Sequence, residues 1–263
     1  MTPYVAVEYR DDVFVLPTAI DGKLFVSAGR RSDLVVLERV CAILRDAGRL
    51  AGKETIVDVG AHIGTTTIPA LTHHGFVRAV AIEPDPVHLP LLRANVALNG
   101  LEERVTVIAA GVSDAHRERQ PFVQGSRKEG SYRWMKGRLA EEPSSGAVSV
   151  ETVALDGLAE AGIVDPATTG LLWFDCGRCE EQALRSASLF LEHRVPLVFT
   201  LRQRQFTDAG HLLARLRETY GHAVDLRSPS LAEPVSEWVP TLRPIDDLAT
   251  LPEGKKITDV LVF

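Results

Sequence analysis

Between residues 55 and 111 the chain alternates short apolar runs with amphipathic stretches, and this alternation constrains the fold more than any other feature. "TIVDV" (55–59), "VRAVAIE" (77–83) and "RVTVIAAG" (104–111) read as buried strands. A helix is expected from the 60s into the 70s. A second is expected over "DPVHLPLLRANVALNG" (85–100), with Asp85 as N-cap, Pro86 at the first helical position and Gly100 as stop. Pro90 lacks an N–H and is expected to delay or kink the first turn. Strands separated by helices at this spacing make βαβ units, so the expected class is α/β with a doubly wound, mostly parallel sheet. "LLWFD" (171–175), "PLVFTL" (196–201) and "ITDVLVF" (257–263) add further strands. "DAGHLLARLRETYG" (208–221) reads as a helix capped by Asp208 and ended by Gly221.

Two regions fall outside this rhythm. Residues 1–29 are rich in Val, Phe and Tyr and suggest short strands with a turn at "IDG" (20–22). Residues 33–47 then set Leu34, Leu37, Val40, Cys41 and Leu44 on one helical face, and Gly48 stops that helix. Residues 115–150 are polar and read as an insertion with an edge strand at 148–154. The expected division is an N-terminal cap over 1–50 and a core over 51–263 interrupted by the insertion 115–150.

Composition narrows the function. The net charge of −6 argues against a general nucleic-acid binder, which needs a basic face to displace counterions. No apolar stretch approaches the roughly 20 residues needed to cross a bilayer, so no membrane association is expected. The first residues show no basic segment followed by an apolar run, so no signal peptide is expected. Three cysteines, Cys41, Cys176 and Cys179, form no disulfide framework. A reducing, cytoplasmic setting is expected, with Cys176 and Cys179 as two reduced thiols. A zinc site would need two more ligands at suitable spacing, so no metal is expected.

The stretch "TIVDVGAHIGTTTIPA" (55–70) places an acid, Asp58, and two glycines, Gly60 and Gly64, where a strand gives way to a helix. In parallel sheets, ligands bind at the carboxyl ends of strands, where glycine lets backbone approach them closely. A dinucleotide site would want G-x-G-x-x-G, but His62 occupies the second glycine position. An NAD-dependent enzyme is therefore disfavoured. Glu83 ends the second strand, and a carboxylate there can accept both ribose hydroxyls. "GVSD" (111–114) follows the third strand, where Asp114 could accept an adenine amine. Acids at adjacent strand ends favour a cationic, ribose-bearing ligand and repel a pyrophosphate. S-adenosyl-L-methionine is such a ligand.

These segments, "VDVGAHIGTTTIPA", "AIEPDPVHLPLLRANVALNG", "GVSD" and "VALDGL", resemble the FkbM-type methyltransferases, class I adenosylmethionine-dependent enzymes acting mostly on oxygen in natural products and sugars. The likeness runs over about residues 50–201, and the closing "TDVLVF" is also similar. It implies a seven-stranded Rossmann-like sheet whose last-added strand is antiparallel. It also implies a cofactor set of Asp58, Gly60, His62, Gly64, Thr65, Glu83, Asp114 and Asp175, with Asp58, Gly60 and Gly64 at the methionine end, Glu83 at the ribose and Asp114 near adenine. The chain departs from the family after the fourth strand. The family pattern Asp-Val-Glu-Gly-x-Glu becomes "DCGRCE" (175–180), with Gly177 for the middle Glu and Arg178 for the Gly. Thr200 and Leu201 stand where the family tends to carry another Glu.

Methyl transfer to an alcohol needs an aligned acceptor and a base within hydrogen-bond reach. Asp175 is the first candidate base, with binding of the cofactor ammonium as its alternative role, and His62 is the second. The basic, aromatic stretch "GSRKEGSYRWMKGR" (125–138) reads either as a substrate-recruiting lid or as a solvated loop. The expected partner is a small-molecule substrate. The alternatives are a catalytically degenerate adenosylmethionine- or adenosylhomocysteine-binding protein, suggested by the absent acids, and an RNA methyltransferase, suggested by the basic stretch.

Overall fold

The computed structural model describes residues 4–17, 32–124, 132–134, 147–177, 179–202, 209–228, 230–231, 234–250 and 257–263. The turn at 20–22, Arg178, Asp208 and most of the basic stretch 125–138 lie outside them.

The chain begins with an antiparallel hairpin, β1 (Tyr4–Tyr9) and β2 (Asp12–Pro17). Its turn falls at Arg10 and Asp11, both at positive φ. Helix α1 (Ser32–Asp46) follows and ends at Gly48, whose φ of +67° suits a residue without Cβ. Then come β3 (Thr55–Val59), α2 (Thr67–Thr72), β4 (Arg78–Ile82), α3 (His88–Leu98) and β5 (Val105–Ile108). The next segment carries β6 (Gly111–Val112), β7 (Arg119–Gln124), β8 (Tyr132–Trp134) and β9 (Ala147–Val153). Helix α4 (Leu155–Glu160), β10 (Thr169–Phe174), α5 (Glu180–Arg185), α6 (Ser188–Glu192) and β11 (Leu197–Arg202) continue the alternation. The chain closes with α7 (Ala209–Thr219), β12 (His222–Asp225), β13 (Leu242–Pro244), a 3-10 turn (Ile245–Thr250) and β14 (Ile257–Val262).

The main sheet has the order β13-β12-β14-β11-β10-β3-β4-β5. Strands β11, β10, β3, β4 and β5 run parallel, and β14 is antiparallel to both β11 and β12. This is the doubly wound, mostly parallel sheet of seven strands with the last-added one reversed. An eighth, the three-residue β13, extends the edge. The insertion builds its own sheet, β6-β9-β7-β8.

Alternate residues of each central strand feed opposite faces. Val57, Val59, Val80, Ile82, Leu172, Phe174, Leu197 and Phe199 point into one core with Leu184 and Phe190. Ile56, Ala79, Ala81, Leu171, Trp173 and Val198 point into the other with α1, α2 and α3. Both faces are covered, which is why these strands read as continuous apolar runs. The hairpin also belongs to the second core, through Phe14 and Leu16. Asn95 of α3, fully buried, accepts from the Val15 N–H (2.6 Å) and donates to the Val15 (3.2 Å) and Ile63 (2.8 Å) carbonyls. One side chain thus ties hairpin, helix and the loop after β3.

Helix α3 starts later than the sequence suggests. Asp85 behaves as the expected cap: its carboxylate accepts the Val87 N–H (2.7 Å) and its carbonyl accepts the Leu89 N–H (2.9 Å), while the regular turns run over His88–Leu98. Pro90 lies in the first regular turn, where a residue without an N–H is best tolerated.

Candidate functional site

The carboxyl ends of β10, β3, β4 and β5 are laced together by backbone bonds. Asp175 N–H donates to Val59 (3.0 Å), Gly60 and Ala61 N–H donate to Ile82 (2.9 and 3.1 Å), and Glu83 N–H donates to Ile108 (3.0 Å). The chain turns sharply after β3 because Gly60 and Gly64 take φ values of +88° and +93°. At Gly60 a Cβ would lie inside contact distance of the Asp175 carbonyl oxygen, 2.8 Å from its carbon and 3.0 Å from the Cys176 Cα. Only glycine fits where these two strand ends meet.

His62 sits between the glycines at φ +52°, a left-handed conformation for a residue with a Cβ. Its N–H donates to Glu83 Oε2 (2.8 Å), and the Asp85 N–H donates to Glu83 Oε1 (2.8 Å). Glu83 therefore pins the glycine turn to the end of β4 and keeps a lone pair on each oxygen. Burial pushes its carboxyl up to about 8, against the pull of those two N–H bonds. The His62 ring meets the edge of His88 at 4.0 Å, and His88 Nδ1 lies 3.3 Å from Asp85 Oδ2 with both residues buried.

Asp58 is 1 % exposed and turned towards the first turn of α2, where Thr67 Oγ1 donates to its Oδ2 (2.6 Å). Burial pushes this carboxyl up to about 7. Thr65 is buried beside it in sequence, at the start of the same turn region. Asp58 anchors the turn into α2, and its charge raises Glu83 and Asp175. Asp175 differs. Its carboxylate makes no hydrogen bond or ion pair, and it is open to solvent. Protein nevertheless crowds it, so lost hydration, followed by the charges of Asp33, Asp259, Glu180 and Asp58, pushes it up to about 7.

Asp114 is not at a strand end of the main sheet. The chain leaves β5 at Ile108 and enters β6, which pairs with β9 in the second sheet. Asp114 follows β6, exposed, with the Ser113 hydroxyl donating to it (3.2 Å). Asp58, Glu83 and Asp175 form the set at neighbouring strand ends.

Two residues absent from the sequence reading join them. Asp259 stands opposite Thr200 in the β11–β14 ladder and accepts its hydroxyl (3.1 Å), with Arg227 Nε at 2.5 Å on its other oxygen. A carboxylate thus occupies the level of the sheet where Thr200 replaces an acid. Because β14 is antiparallel, its start lies at the same mouth, so "TDVLVF" carried the signal. Asp33, in the first turn of α1, raises Asp58, Asp175 and Asp259 alike. No motif surrounds it.

The two thiols expected at Cys176 and Cys179 are instead joined in a disulfide, with Cα atoms 5.5 Å apart. The intervening turn passes through Gly177 at φ +60°, a conformation that favours glycine over the family's Glu. Cys41 is the buried free cysteine. Among the described residues no group of His, Cys, Asp and Glu is arranged to hold a metal ion, and no helix is long and apolar enough to cross a membrane.

No protein of curated function matches the sequence. Among solved structures, the chain is similar to the methyltransferase FkbM of Methylobacillus flagellatus KT, with 18% identity and a TM-score of 0.48 over 81% of this chain. It spans 44% of that protein's length. TYW2 of P. horikoshii, solved in complex with MeSAdo, gives 13% identity and 0.48 over 100% of this chain and 72% of the other. The tRNA m1G37 methyltransferase of M. jannaschii gives 12% and 0.45, over 99% of this chain and 54% of the other. The Methyltransferase FkbM domain matches residues 58–223, from the acid of β3 to the start of β12 and more than half of the sequence, and the chain belongs to that family.

Proposed function

We propose that this chain is an S-adenosyl-L-methionine-dependent methyltransferase acting on a hydroxyl of a small molecule. The observation that carries the reading is Glu83. It is buried, held by the N–H groups of His62 and Asp85, and beside a glycine turn that only a bare backbone can make. Its two remaining lone pairs suit a ribose diol, and the carboxyl groups around it, pushed towards neutrality, suit a ligand that brings positive charge. Gly60, His62, Gly64 and Thr65 would line the turn side of that ligand, and Asp114 would lie beyond the adenine end. When bound, the cofactor supplies an electrophilic methyl group on a sulfonium.

The chain's own part is to orient and to take a proton. Asp175 is open to solvent with no internal partner, and a carboxyl poised near neutrality accepts an alcohol proton as the oxygen reacts. His62 is placed to hold the turn, with its ring against His88, rather than to serve as that base. Residues 1–50 would act as a cap on the core 51–263, with Asp33 as the cap's contribution to the mouth.

Calorimetry with adenosylhomocysteine tests this. We expect binding that strengthens by about tenfold or more from pH 6 to pH 8 as Glu83 ionises. Glu83→Ala should lose about 100-fold in affinity, since two charge-assisted hydrogen bonds go. Absence of heat with either cofactor form would remove the proposal. An RNA acceptor would bring phosphates towards this carboxylate field; retention on RNA at low salt would favour it over a small hydroxyl compound.

A further inference from the structure

We propose that Cys176 and Cys179 form a reversible thiol–disulfide switch that sets cofactor affinity through the glycine turn. The inference rests on the cofactor site proposed above and adds a control to it. The two cysteines are three residues apart and joined. A bond closing so short a loop removes little chain entropy, so it does little as a staple for the whole fold. Its action is local, and its neighbours matter. Asp175 stands immediately before the pair and Glu180 immediately after it, and the charge of Glu180 raises Asp175. The backbone of Asp175 and Cys176 is the surface on which Gly60 rests, close enough to exclude a methyl group. Cys179 is fully buried at the start of α5, where its carbonyl accepts the Ala183 N–H (2.8 Å). Cys176 is half-buried whereas Cys179 is fully buried, so Cys176 is the member of the pair nearer to solvent and the one assigned to meet an outside thiolate.

The exchange needs a dithiol reductant of the thioredoxin class, or two equivalents of glutathione. A thiolate attacks Cys176 Sγ, forming a mixed disulfide, and the Cys179 sulfur leaves as a thiolate that takes up a proton. The reductant's second thiol then displaces Cys176. Two electrons and two protons pass to the protein, and the reductant leaves as its disulfide. With the bond open, the turn from Asp175 to Glu180 is no longer pinned to α5, and Gly60 loses the fixed surface beneath it. The oxidised form is the tight-binding form.

The test measures adenosylhomocysteine affinity by calorimetry on the full chain, oxidised, reduced and reoxidised, with thiols counted in each state. We expect a loss of about fivefold or more on reduction, recovered on reoxidation, in the usual range for coupled sites. The double variant C176S/C179S should bind at the reduced level whatever the redox buffer. Equal affinities with the bond shown to be open would overturn the switch and leave the methyltransferase reading intact. So would a bond that stays closed in millimolar reduced glutathione, or two thiols that never pair in oxidised glutathione. Failure of every form to bind would instead defeat the cofactor site itself.

Discussion

Replacing Asp58 by Asn should abolish the pH dependence of stability that this carboxyl imposes on the ligand-free protein. Asp58 is buried at the end of β3, and its carboxyl is held at about 7 against an ordinary 3.8. The native state therefore binds a proton that the unfolded chain has released, over the whole window from about pH 4 to 7. Where the native state holds more protons, stability falls as pH rises. No cost is present below about pH 4, and the full cost is reached above about pH 7. At about 1.4 kcal/mol per pKa unit, the part falling between pH 5 and pH 8 is about 2–3 kcal/mol. Asn keeps the size and an acceptor for the Thr67 hydroxyl but cannot ionise. Any hydrogen-bond energy lost in the exchange is nearly the same at both pH values and cancels in the comparison. Urea melts of both proteins at pH 5 and pH 8 should show wild type losing about 2–3 kcal/mol relative to Asp58→Asn. Removing this charge also relieves Glu83 and Asp175, which adds to the difference with the same sign. If the two proteins lose stability in parallel, within about 0.5 kcal/mol, Asp58 is not a strained charge. These strand ends then have no electrostatic reason to take up a cation.

Gly60→Ala should destabilise the fold by about 3 kcal/mol or more, because the new methyl meets the Asp175 carbonyl and the backbone stays at positive φ; a denaturation midpoint within error of wild type would contradict the close approach. Asn95→Ala should cost about 2–4 kcal/mol, since the Val15 N–H and the Ile63 carbonyl lose their partner in the core. Hydrogen exchange should locate that loss in the hairpin and the glycine turn together, and protection unchanged in either would show that Asn95 does not join them.

Much of this arrangement was readable because its causes are local. The strands from 55 to 108 are apolar on both faces, and Gly48, Gly60, Gly64 and Gly100 stand where the backbone needs positive φ. Glu83 and Asp58 could be placed because each ends a strand. What was not readable depends on partners distant in sequence. Asp85 caps where its type and position suggest, but the turn at 86–87 before the regular helix and the pairing of Asp85 with His88 depend on the folded geometry. Asp114 was expected at a third strand end, but the chain crosses to a second sheet after Ile108, a choice made by pairing with residues 152 and 153. Asp259 lies some 60 residues beyond Thr200, and only the antiparallel insertion of β14 sets it opposite that hydroxyl. The bond between Cys176 and Cys179 depends on the turn at Gly177, whose geometry the spacing alone does not fix.

The position of β14 has a bearing on how the chain is made. It lies between β11 and β12, although β12 and β13 precede it in sequence. As the polypeptide leaves the ribosome, β12 and β13 emerge with each other to pair with but no sheet to join. Their docking edge does not exist until residues 257–262 have been added and threaded antiparallel alongside β11. The half of the sheet that carries Asp259 is therefore the last to assemble, and this end of the sheet gains its final carboxylate only after nearly all of this sequence has been synthesised.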